Sequence, residues 1–210
     1  MPSAVRLTFA AALGAALLAA AGCGGTGEAN AAGLARGDLV SAMAAQLSAG
    51  SALSYTATYQ LTGGDTATIT QAQRPTRTAY AVRGGRLVVT AQATTRCDGN
   101  KCTKATPDPT AAAALPGLVT PQAVLAMLNA AALDPEVDAE QHDTTIAGRH
   151  ATCLALRNVA GTPSPDFSVC VTNEGALGSF TANINGELID LALTDYSDQV
   201  SSADFILPSP

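Results

Sequence analysis

Cysteine and histidine, the side chains of this 210-residue chain most able to do chemistry, number only five and two. Asp138, Glu140 and His142 fall at i, i+2 and i+4, so on a strand they share one face and offer a ligand set of the kind that holds a divalent cation. Ligands two residues apart on a strand stand roughly 7 Å from one another and do not converge on one ion without further groups. Glu136 and Thr144 continue the row, so the expectation is a solvated acidic strand face, with no metal and no other cofactor. His150 follows Gly148-Arg149 and is expected to be an exposed turn residue. No Gly-x-Ser-x-Gly elbow, phosphate-binding loop or His-Glu-x-x-His occurs, so a non-enzymatic protein with no catalytic residue is expected.

Four of the cysteines, Cys97, Cys102, Cys153 and Cys170, allow three pairings. The segment Arg96-Cys97-Asp98-Gly99-Asn100-Lys101-Cys102 has a turn inside the Cys pair, which favours a bridge across a hairpin and leaves Cys153 with Cys170. Strand parity supports the second bridge. Leu154 and Leu156 face one way and Cys153 the other, while Phe167, Val169 and Val171 leave Cys170 on the opposite side. Closing that loop contributes ~3 kcal/mol in the chain-entropy model. A zinc site is disfavoured, because paired Cys-x-x-Cys units and nearby His are missing.

The fifth cysteine belongs to the leader. Met1 to Arg6 carries one positive charge, and Leu7 to Ala21 is an unbroken run of Ala, Leu, Gly, Thr and Phe, too short for a membrane span of about 20 residues. It ends Leu18-Ala19-Ala20-Ala21-Gly22-Cys23, which resembles the lipobox of bacterial lipoproteins. The resemblance implies a signal peptide over 1–22, acylation of Cys23, and export to the outer face of the cell membrane with lipid as the anchor. Two or more acyl chains make such anchoring stable. Residues 24–33 are Gly-rich and without hydrophobic period, a flexible tether with a reach of roughly 17 Å. The single domain is then 34–210.

Composition narrows the partners. Of the whole chain 47% is hydrophobic, enough to bury a core, and the formal charge of −6 argues against nucleic acid. With only eight aromatics, no large stacking platform can be built. Residues 74–104 hold seven cations (Arg74, Arg77, Arg83, Arg86, Arg96, Lys101, Lys104) against Asp98, a net of +6, whereas 105–210 hold two cations and thirteen acids, a net of −11. A basic strand layer apposed to anionic headgroups is one reading. Pairing of basic with acidic strands inside one sheet is the favoured one, because the net charge opposes approach to an anionic surface.

The elements that must position these residues are periodic. Asp38 is expected to cap a helix with the stripe Leu39, Met43 and Leu47. The alternation from Leu53 through Tyr55, Ala57 and Tyr59 to Leu61 predicts a strand with Thr56, Thr58 and Gln60 outward. Strands follow over 66–73, around Tyr80 and Val82, and through Leu87, Val89 and Ala91, then the Cys97–Cys102 hairpin. Thr120-Pro121 supplies an N-cap and first-turn Pro for a second helix with Val124, Leu125 and Leu128. Beyond Asp134-Pro135 strands are predicted over 136–146, 151–158, 167–172, 177–184 and 188–194, with a short closing strand over 204–208.

This order, the Val171-Thr-Asn-Glu-Gly-Ala-Leu177 hairpin and the Asp204-to-Pro208 ending resemble the LolA/LppX/LprG-like lipoprotein-carrier superfamily. The resemblance spans 34–208 and implies an α+β fold: a strongly curved antiparallel sheet, an incomplete barrel, with helices over its concave side. It further implies a cavity between sheet and helices that holds a lipid or other apolar ligand. The residues expected to line it are Leu53, Tyr55, Ala57, Tyr59 and Leu61 from the strand, with Leu39, Met43, Leu47, Val124 and Leu128 from the helices. Small residues such as Ala57, Ala67 and Ala91 would leave volume there. The alternative is a non-catalytic module with a filled core that binds an envelope protein.

Overall fold

Residues 36–207 are described by a computed structural model. The signal peptide, Cys23 and the tether lie outside them. The first helix, α1 (Arg36–Gly50), buries Val40, Met43, Ala44 and Leu47, the i, i+3, i+4, i+7 face of an amphipathic helix. Asp38 is inside its first turn and not at the cap, because the helix is already formed at Arg36; the carboxylate there still complements the helix dipole. The second helix, α2 (Pro121–Ala132), begins as expected. Pro121 occupies the first turn, and Thr120 Oγ1 accepts the N–H of Ala123 at 3.2 Å.

Eleven strands form one antiparallel sheet: β1 (Tyr55–Leu61), β2 (Thr66–Gln73), β3 (Thr76–Val82), β4 (Gly85–Thr90), β5 (Thr94–Asp98), β6 (Lys101–Ala105), β7 (Asp138–Ile146), β8 (Arg149–Arg157), β9 (Phe167–Thr172), β10 (Leu177–Ile184) and β11 (Glu187–Ser197). Their spatial order is β6-β5-β4-β3-β2-β1-β11-β10-β9-β8-β7, so the sheet is not closed and β6 and β7 are its edges. Two meanders, each joined by short turns, meet where β1 pairs with β11, with Tyr59 opposite Leu193 and Leu61 opposite Leu191. Such an open sheet with two helices fits an incomplete barrel with helices.

Period-2 burial gives the sheet an inner face. Tyr55, Ala57, Tyr59 and Leu61 are buried and alternate with more exposed Thr56, Thr58 and Gln60. These inner residues share one buried cluster with Val40, Met43 and Leu47 of α1, Val124 and Leu128 of α2, and Leu87, Leu154 and Phe180 from the rest of the sheet. A small second cluster, Ala72, Ala79, Val88 and Phe205, lies on the other face.

Three expectations fail. Residues 202–205 form a 3₁₀ turn in place of a closing strand, because Ser201 and Asp204 cap it reciprocally: Ser201 Oγ accepts the Ala203 N–H and Asp204 Oδ2 accepts the Ser201 N–H at 2.9 Å. Basic and acidic strands also do not interleave. β3 to β6 pair in sequence order at one end and the acidic strands occupy the other, since short turns dictate neighbours more strongly than charge. Ala91 sits exposed in the β4–β5 turn, not on the inner face.

Candidate functional site

Both disulfides are present. Cys97 and Cys102 are directly opposed between β5 and β6, and Cys153 and Cys170 between β8 and β9. The predicted acidic row is a solvated face with its own cation: Arg157 Nη2 donates to Glu140 at 3.2 Å and Arg157 also lies 3.7 Å from Asp138. His142 and His150 are exposed, though His150 lies in β8 opposite Thr145 and not in the turn, and no cluster of metal-ligating side chains occurs among the described residues.

The residues expected to line a cavity between sheet and helices instead pack on one another. Tyr55, Ala57, Tyr59, Leu61, Met43, Leu47, Val124 and Leu128 are all buried in the main cluster, while Leu39 and Leu53 are half-buried against it. The small pocket beside them, lined in part by Leu47, Tyr55 and Gln71, has about 30 Å³, room for water but not for an acyl chain. All four tyrosines of the chain border this interior. Burial raises the pKa of Tyr55, Tyr59, Tyr80 and Tyr196, and neighbouring phenols add to the effect on the first two. Tyr55 and Tyr196 stack at 5.6 Å between ring centroids.

An apolar recess lies elsewhere, along α2. It has a volume of about 360 Å³, and its floor is the stripe Ala123, Ala126, Met127 and Ala130, at i, i+3, i+4 and i+7. Leu118 and Val119 form one wall, and the 161–163 loop with Ile184 of β10 forms another. The 161–163 wall is held by Asp134, just past the end of α2. Its carboxylate accepts the N–H of Ala160 at 2.8 Å and of Glu136 at 2.9 Å, and these bonds, the Ala160 one first, hold its pKa below the ordinary carboxylate range. Thr162 Oγ1 donates to Ser164 O at 2.6 Å, and Val159 N–H to Pro165 O at 2.9 Å, closing the loop on itself.

The lining presents methyl groups and one thioether, with Thr120 and Thr162 as its hydroxyls, and no charged group. Sequence reasoning assigned α2 one buried stripe and overlooked the second. The available signal was the segment Pro121–Ala132 itself, whose only polar side chains are Gln122 and Asn129. A helix apolar nearly all round has a second face to cover.

At the other end of α1, the β9–β10 turn fixes the helix. Gln46 Nε2 donates to Thr172 O at 2.7 Å. Burial alone would raise the Glu174 carboxyl, but hydrogen bonds from its own backbone N–H, Thr172 and Arg149, with the Arg149 charge, leave it lowered and ionised. Arg149 also lies 4.9 Å over the Tyr196 ring.

No protein-family model matches the chain, and no curated protein matches it. Its fold is similar to that of an uncharacterized conserved protein from Thermus thermophilus, with a TM-score of 0.51 at 10% identity over 80% of this chain and 92% of that one. A DUF1329 family protein from Desulfovibrio piger covers 82% of this chain and 98% of its own at 10% identity, with a TM-score of 0.32.

Proposed function

We propose that this is an exported lipoprotein, anchored through acylated Cys23 to the outer face of the cell membrane, that binds an apolar ligand in the recess along α2. The observation that carries the reading is the recess itself: about 360 Å³ of uncharged, methyl-lined space between α2, the 118–120 segment and the 161–163 loop. That volume is near the low end of the roughly 300–1,000 Å³ of small-molecule sites, so it suits part of one acyl chain better than a whole diacyl lipid. The lipobox-like Ala21-Gly22-Cys23 supports a location at a lipid surface. In this reading the helices cover the concave side of a carrier-like sheet, and the ligand enters on the outer side of α2 instead of between helix and sheet. The role is non-enzymatic.

The filled core between sheet and helices favours a second reading, in which the same recess accepts an apolar side chain of an envelope protein. Native mass spectrometry of the purified full-length protein separates the two. Titration with phospholipid or fatty acid should give a saturable adduct, and Ala126→Trp, which fills the recess from an exposed helix position, should abolish it without loss of folding. If wild type forms no adduct, or both proteins form equal adducts, the lipid reading falls and the interaction module takes its place.

A further inference from the structure

Of the seven cations between Arg74 and Lys104, only Arg83 has a carboxylate within 4.0 Å among the described residues, that of Asp65. The rest form the basic end of the sheet, opposite the acidic β7 edge. Arg74 and Arg77, at the β2–β3 turn, line an open recess of about 490 Å³ together with Ser54, Gln73, Asp198 and Val200.

Arg77 is held in place by an aromatic ring. Its guanidinium carbon lies 3.9 Å from the centroid of the Phe205 ring, and the 3₁₀ turn that carries Phe205 is capped at both ends of its box. Stacking on the face leaves the in-plane N–H groups of a guanidinium available as a fork. The Nε of Arg77 is buried without a hydrogen-bond partner among the described residues, so the fork that can meet a ligand is the terminal Nη1–Nη2 pair. Ser54 Oγ accepts the N–H of Gln73 at 3.1 Å, which orients the hydroxyl and leaves its proton to donate. Two guanidinium groups against the one Asp198 carboxylate leave the recess at +1, which balances one negative charge and not two.

We propose that this recess binds a singly charged phosphodiester, the anion shared by phospholipid headgroups and free glycerophosphodiesters. The stacked Arg77 fork takes two non-bridging oxygens, while Arg74 supplies charge from the turn and Ser54 a third donor. The site uses none of the residues of the α2 recess, so it stands independently of the apolar-ligand reading.

Full-length protein in neutral detergent is titrated with glycerophosphoglycerol, with dihexanoyl-phosphatidylglycerol and with inorganic phosphate, by calorimetry near pH 7. Both diesters should bind saturably. Arg74→Gln, at an exposed turn position, should weaken them about tenfold, the worth of one charge-assisted hydrogen bond. Arg77→Lys, which keeps the charge and loses the fork, should weaken them similarly. Tighter binding of the lipid assigns the headgroup as the source, and equal binding of the two diesters assigns the free diester. Ala126→Trp should leave both affinities untouched. No saturable diester binding, equal affinity in Arg74→Gln, or tighter binding of inorganic phosphate than of either diester overturns the proposal.

Discussion

Replacing Gly175 by Ala tests how α1 is docked on the sheet. Gly175 has φ of +93°, and a Cβ placed there would come 2.6 Å from Gln46 O and 2.8 Å from Gly50 N, both backbone atoms of α1. The opposing Gly50 would likewise meet Gly175 O if it carried a Cβ, so each glycine exists for the other. A non-glycine residue in the left-handed region costs roughly 1–2 kcal/mol. Forcing a methyl group against two backbone segments adds an overpacking cost of roughly 1–3 kcal/mol. The sum, about 3 kcal/mol, is a large share of a typical stability of about 5–15 kcal/mol and corresponds to a fall in Tm of roughly 6–12 °C. Gly148→Ala is the control. Its φ is +73°, yet nothing lies within 4 Å of the added Cβ, so only the conformational cost of roughly 1–2 kcal/mol applies. Urea unfolding of both variants, with the m-value checked for constancy, isolates the contact as their difference. Equal losses in the two variants would refute the close-approach argument.

Three further outcomes follow from the geometry. Removing Cys153–Cys170 should destabilise more than removing Cys97–Cys102, since their sequence separations are 17 and 5; the chain-entropy difference is about 1 kcal/mol, read by denaturant unfolding of the paired Cys→Ala variants. All four tyrosines are raised in pKa by burial, Tyr55 and Tyr59 furthest, so the native protein should show less tyrosinate absorbance near 295 nm than free tyrosine as pH passes the ordinary phenol value of about 10, and none from Tyr55 and Tyr59. A raised acid contributes stability that is full below its unfolded pKa and is lost as pH rises beyond it, so ionisation of these two should coincide with alkaline unfolding seen by circular dichroism; their titration in the native state would contradict the packed interior. Cys23→Ser should move the protein from the membrane to the soluble fraction, and a variant that stays with the membrane would sink the lipobox reading.

Much of the fold was legible because it is local. Alternation along Tyr55–Leu61, Gly-containing turns, and Thr120-Pro121 each act within a few residues, and strand parity alone placed Cys153 and Cys170 on one face. The Asp204–Leu207 segment misled for the same local reason in reverse. An apolar Phe-Ile-Leu run reads as strand, but the Ser201–Asp204 capping box offers its backbone a turn, and burial of Phe205 secures it.

The sequence by itself determined the periodicities, the cysteine parity, the leader-like segment and the division of charge between the two halves of the chain. Only the tertiary structure decided that the two meanders join through β1 and β11. It alone decided that the basic and acidic strands lie at opposite ends, and that the expected cavity residues fill one another's space. It also decided that an open apolar recess lies on the far stripe of α2. The reason is physical: periodicity says which face of an element is covered, but whether two covered faces leave a gap depends on the distance between elements. That distance is set by remote contacts such as the Gly50–Gly175 approach, which no local pattern encodes.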